Sequence, residues 1–70
     1  MNWPSAKGRR VLAALLDIGW SVKRRAGGSH IVLERPDWSD YVWAFGDGDE
    51  SGPRMLSRIG KRTGLQPADL

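Results

Sequence analysis

Between Val11 and Ile18 the apolar residues Val11, Leu12, Leu15 and Leu16 recur at helical spacing and form one stripe, with Lys7, Arg9 and Arg10 mostly off it. Ser5 is placed to cap this helix by accepting from the free N–H groups of its first turn. Gly19 follows Ile18, where a left-handed residue ends a helix at no Cβ cost. The period then drops to two. Trp20, Val22 and Arg24 alternate with Ser21, Lys23 and Arg25, the pattern of a half-buried strand with a basic outer face. Ala26-Gly27-Gly28 predicts a hairpin turn, because glycine supplies positive φ. Ser29 to Arg35 follows as a second strand, Pro36 to Asp40 as a turn, and Tyr41 to Phe45 as a third strand rich in aromatic and β-branched residues. Gly46 to Gly52 shows no regular pattern. Pro53 suits the first position of a closing helix that runs to about Thr63. Met55, Leu56 and Ile59 form its apolar side, and Arg54, Arg58, Lys61 and Arg62 its basic side. Gly64 ends it, and the tail from Leu65 to Leu70 tucks one of its leucines inward. The order α-β-β-β-α predicts an α+β fold: a three-stranded antiparallel sheet with two helices packed on one face.

Seventy residues, 1–70, make a single domain with a small core. There is no cysteine, so neither a disulfide nor a thiolate metal site supports it. Four tryptophans take that load. Trp20 and Trp43 are expected in the core. Trp3 and Trp38 fall in flanking or turn segments, where an exposed ring would be free to stack on an RNA base or anchor a protein partner. No apolar segment approaches the roughly 20 residues of a membrane span. Val11 to Ile18 is short and broken by Asp17, which argues against a secretory signal. Together with the lack of cysteine this fits a cytosolic protein.

The formal net charge of +3 conceals a block pattern. Residues 1–35 hold seven Lys/Arg against Asp17 and Glu34; residues 36–52 hold no base and five acids; residues 53–70 hold four bases against Asp69. Single surface charges are usually just solvated. Segregated blocks create a field that steers a polyanion.

The one histidine, His30, stands between Lys23-Arg24-Arg25 with the glycine turn and the apolar run Ile31-Val32-Leu33. Imidazole both takes and gives a proton near neutrality. Cleaving RNA through its own 2′-hydroxyl needs a base on that hydroxyl, an acid on the leaving 5′-oxygen and positive charge on the phosphate. His30 can fill either proton role, Lys23, Arg24 and Arg25 can supply the charge, and backbone N–H groups at Gly27 and Gly28 can approach a phosphate. The residues alone admit a second reading equally well, in which His30 merely ends a strand with its ring half packed. Asp47, Asp49 and Ser51 followed by Gly52 imitate the start of a calcium loop, but its twelfth position is Arg58 where a bidentate glutamate is required. No metal is expected there; the acids read as a turn with favourable charge near a helix N-terminus. The helical bases Arg54, Arg58, Lys61 and Arg62 are either solvated or a ridge contacting nucleic-acid backbone.

Taken together, the helix ending in Leu15-Leu16-Asp17-Ile18-Gly19-Trp20, the basic strand, Gly28-Ser29-His30 and the closing Gly52-Pro53-Arg54-Met55-Leu56 with Ile59 and Thr63-Gly64-Leu65 resemble the HicA toxins of bacterial type II toxin–antitoxin systems. The resemblance spans nearly the whole chain. It implies a fold like a double-stranded-RNA-binding domain and an endoribonuclease that cuts mRNA and stops translation. It also implies His30 as the catalytic residue, with Gly28 and Ser29 as the motif around it, a cognate HicB antitoxin that blocks that histidine, and no cofactor. The chain has no second imidazole, so Lys23, Tyr41 or a water is expected to act as the other proton-transfer group. The alternative is a non-catalytic RNA-binding module of the same fold, which would bind duplex RNA by shape.

Overall fold

A computed structural model describes residues 2–28 and 30–70. The elements in chain order are β1 (Ala6–Lys7), α1 (Gly8–Asp17), β2 (Ser21–Arg25), β3 (Ile31–Glu34), β4 (Tyr41–Trp43), β5 (Glu50–Ser51), α2 (Pro53–Thr63) and a closing 3-10 turn (Pro67–Asp69). β2, β3 and β4 form the expected three-stranded antiparallel sheet, with β3 central. The α+β fold is consistent with a double-stranded-RNA-binding-domain-like architecture. The core unites Val11, Ala14 and Leu15 of α1, Leu56 and Ile59 of α2, Ile31 and Leu33 of β3, and Trp43 of β4. Trp20 and Leu65 close it from the connections, and Leu70 packs at its margin.

Several local expectations are overturned. Ser5 does not cap α1; Lys7 is the N-cap residue and offers no side-chain bond. The free N–H groups of the first turn are met instead from far along the chain: Gly8 donates to the Asp49 carbonyl at 2.7 Å and Arg9 to the Asp47 carbonyl at 3.1 Å. A helix end has orphan donors that must be satisfied somewhere, and here a distant backbone replaces a local hydroxyl. Asp47 and Asp49 therefore serve the start of α1 through their main-chain carbonyls, and the first turn of α2 holds no acidic residue. The segment from Gly46 to Gly52 is not wholly irregular, since Glu50–Ser51 pairs antiparallel with Ala6–Lys7. This small second ladder was invisible because a two-residue strand carries no period.

The strand β2 is not half buried: all five of its residues are exposed. Its register slips between Val22 and Arg24, leaving Lys23 without a partner on β3. A bulge of this kind breaks the alternation on which the half-buried reading relied. The third strand is shorter than expected, ending at Trp43.

Gly64 ends α2 in the left-handed conformation, as expected. The last α2 carbonyl, that of Thr63, accepts from Trp20 Nε1 at 2.9 Å and from Arg35 Nη1 at 3.5 Å. Trp38 keeps 39% of its surface in solvent, but its ring is already engaged. The Arg35 guanidinium lies 5.2 Å from its centroid, Trp20 meets it edge-on at 6.0 Å, and a Cβ on Gly64 would come within 2.9 Å of it. Trp3 is partly buried and packs on α2. Neither ring is a free platform for stacking.

The contact of Trp3 with α2 makes a prediction. A Cβ built on Gly60 would stand 2.6 Å from the Leu65 carbonyl oxygen and 2.8 Å from the Trp3 ring. Gly60→Ala gains about 1 kcal/mol of helix propensity but overpacks the site, at a cost of about 1–3 kcal/mol. One obstructing atom is backbone, so a net loss is expected. A urea midpoint below that of the wild type checks it.

Candidate functional site

His30 is exposed at the end of the β2–β3 hairpin. The turn is closed by main-chain bonds: Ala26 N–H donates to the His30 carbonyl at 3.0 Å, and His30 N–H donates to the Gly27 carbonyl at 3.1 Å. Gly27 and Gly28 have φ of 80° and 54°, a backbone region that glycine enters without a Cβ penalty. A Cβ at either position would meet nothing within 4 Å, so the surface over the turn is open. Ser29 lies outside the described residues. His30 precedes β3 by one position, so the ring is carried at the strand's edge and outside the core.

Register determines which bases stand near it. Arg25 pairs with Ile31 and Arg24 with Val32. This puts the Arg25 Cα about 6–7 Å from that of His30. Arg24 is the diagonal neighbour on the same side of the sheet, about 7–8 Å away. By the same alternation His30 shares the face of Val32 and Arg24, turned away from the helices.

Lys23 is not part of that group. In the bulge its Nζ reaches Asp40, at 2.8 Å, and both side chains stay nearly half exposed. The hydrogen bond to Asp40, then its charge, raise the Lys23 pKa, with a smaller contribution from Glu34. A lysine held protonated by a carboxylate is a poor proton shuttle near neutrality. Tyr41 is displaced as well. It pairs with Leu33, three positions beyond His30 along β3, or about 10 Å. Burial raises its phenol pKa, and the nearby Arg62 charge only partly offsets this. Neither of the two side chains expected to assist His30 is placed to do so.

The helical bases divide. Arg54, Arg58, Lys61 and Arg62 are all exposed. Arg58, Lys61 and Arg62 line a groove of about 540 Å³ with Asp40, Tyr41 and Val42 at the outer edge of β4. Arg54 lies with Arg58 beside the N-terminus of α2. The two basic surfaces thus flank opposite edges of one sheet: Arg24 and Arg25 on β2, the α2 bases beside β4.

A cleft of about 300 Å³ opens beside the hairpin turn on the side of the helices. Arg25 and Gly28 come to it from the hairpin, Leu12 from α1, Ile31 from β3, and Trp43, Phe45, Gly46 and Asp47 from β4 and the segment after it. Trp43 and Phe45 meet edge to face at 5.0 Å. Trp43 was expected in the core, and Asp47 in a turn whose charge favours a helix N-terminus. The shared parity of Trp43 and Phe45 was a usable signal for a common face, whereas nothing local linked either residue to Arg25. Among the described residues, no three His, Cys, Asp or Glu side chains gather where they could hold an ion. Among the described residues, no helix is long and apolar enough to cross a membrane.

A small α+β domain with an exposed histidine on a glycine turn, flanked by arginines, is the class of protein that the fold and surface define. The family model described as HicA toxin of bacterial toxin-antitoxin matches residues 8–65. The chain belongs to the HicA toxin family, and a cognate antitoxin is therefore among its partners. No curated protein and no solved structure matches the chain.

Proposed function

We propose that this toxin is an endoribonuclease that cleaves mRNA in the cytoplasm, and so stops translation, with His30 as general acid/base. The observation that carries the reading is an exposed imidazole at a strand's edge with Arg24 and Arg25 as its register neighbours. The ribose 2′-hydroxyl attacks the adjacent phosphorus and the 5′-oxygen leaves. His30 either takes the proton of the first or supplies one to the second. A water fills the other role, because Lys23 is engaged by Asp40 and Tyr41 lies at the far end of the sheet. Arg24, on the face of His30, stabilises the charge of the pentavalent phosphorus, and Arg25, on the opposite face of β2, adds to the positive field of the hairpin. The open surface over Gly28, with Ser29 beside it in the motif, receives the phosphate. Arg54, Arg58, Lys61 and Arg62 hold the RNA backbone on the other edge. Lys23 adds to the positive field of β2, reduced by its carboxylate partner. The antitoxin acts by covering His30.

Purified protein incubated with naked RNA is expected to yield fragments ending in 2′,3′-cyclic phosphate and 5′-hydroxyl. EDTA is expected to change the rate less than twofold. Loss of cleavage in EDTA with recovery on adding a divalent ion would move the chemistry to Asp47, Asp49 and Glu50. Salt-sensitive RNA binding without products would identify a non-catalytic RNA-binding module instead.

A further inference from the structure

The cleft beside the hairpin carries a feature that backbone binding does not explain. Asp47, an exposed acid, lines it next to the surface proposed for a phosphodiester, where a second negative charge repels. The fold does not ask for that carboxylate. Asp47 serves the α1 N-terminus through its main-chain carbonyl, which accepts from Arg9 N–H. Its neighbour Asp49 differs, since its side chain is committed to the Gly46 N–H at 2.8 Å. Among the described residues, the side chains of Asp47 and Arg25 make no hydrogen bond and no ion pair with each other, although both line the cleft. The half-buried Phe45 and the buried Trp43 line the same cleft.

Each part has a counterpart in a nucleobase. Unpaired RNA bases are bound by stacking on aromatic side chains and by hydrogen bonds along their edges. A carboxylate accepts only, so it selects an edge with donors. Guanine alone offers two adjacent donors, N1–H and the N2 amino group, which a carboxylate accepts together. Its O6 and N7 face the other way as acceptors, and guanidinium pairs with them. We propose that this cleft is a guanine-binding subsite for an RNA nucleotide next to the cleaved linkage, with Asp47 reading the donor edge, Arg25 the acceptor edge and Phe45 providing the stacking surface. The chain of the RNA crosses the bare glycine turn, so that its phosphate lies toward His30 while the base enters on the helix side. The proposal rests on the ribonuclease reading for its biological use, but binding of the base is measured without cleavage.

The test is an NMR titration of the full chain with guanosine, inosine, adenosine, cytidine and uridine 5′-monophosphates. Guanosine monophosphate is expected to shift Phe45, Gly46 and Gly28 signals and to bind most tightly. Inosine monophosphate, which lacks the N2 amino group, is expected to bind several-fold more weakly. Asp47→Asn keeps the main-chain carbonyl that holds α1, so it is expected to fold as the wild type does and to lose about tenfold in guanosine monophosphate affinity. Phe45→Leu is expected to weaken all five nucleotides together. Equal binding of every nucleotide, shifts confined to α2, or unchanged guanosine monophosphate affinity in Asp47→Asn overturns the subsite. Nucleotide binding at the cleft with no cleavage of any RNA overturns the ribonuclease reading and leaves the subsite standing.

Discussion

His30→Ala is expected to abolish RNA cleavage and growth arrest while the domain stays folded. The two halves of this expectation rest on different observations. The fold is spared because His30 is exposed, and its contribution to the hairpin is made by its N–H and carbonyl, which alanine retains. Among the described residues its ring makes no hydrogen bond. A thermal midpoint within a few degrees of the wild type is therefore expected. Activity is expected to fall because a positioned general acid/base contributes about 10²- to 10⁴-fold, and neither Lys23 nor Tyr41 is placed to substitute. Lys23 is paired with Asp40, and Tyr41 is both distant along the sheet and raised in pKa by burial. Cleavage rates on one RNA substrate, measured beside circular dichroism of the variant, decide the matter. A folded His30→Ala protein that cuts at the wild-type rate would refute the assignment of His30.

Trp20→Ala is expected to unfold the chain at physiological temperature. Trp20 is 2% exposed and meets Trp38 and Tyr41 edge-on at 6.0 and 6.4 Å. Its indole N–H donates to the Thr63 carbonyl at 2.9 Å in a buried position. Truncating a buried tryptophan costs about 3–5 kcal/mol, and the lost hydrogen bond adds about 1 kcal/mol. A domain of this size holds roughly 4–10 kcal/mol in all. Trp20 also joins the sheet to the end of α2, so the loss falls on the packing that unites the layers. Trp20→Phe, which keeps a ring but no donor, is expected to fall between alanine and wild type in urea denaturation. A Trp20→Ala midpoint close to the wild-type value would show that the Arg35–Trp38 contact over Gly64 holds α2 without it.

These two residues also mark how far local pattern reaches. Trp20 was legible as core because it follows a helix-ending glycine and opens a period-two run. His30 was singled out by its neighbours in sequence, and the hairpin register sets the backbone of Arg24 and Arg25 near it. Lys23 was misplaced because a bulge, which no composition announces, removed it from the alternation and gave it to Asp40. The cleft escaped notice for a similar reason. Arg25, Phe45 and Asp47 belong to separate segments, and only the packing of β4 beside the hairpin unites them.

Chain chemistry alone settled the two amphipathic helices, their glycine ends, the hairpin and the aromatic strand, since each depends on residues a few positions apart whose spacing is their geometry. Tertiary structure decided what caps α1, what β5 pairs with, which carboxylate holds Lys23 and which side chains share a cleft. Those outcomes rest on main-chain donors and charged groups finding partners across the fold, and a local pattern contains no record of such partners.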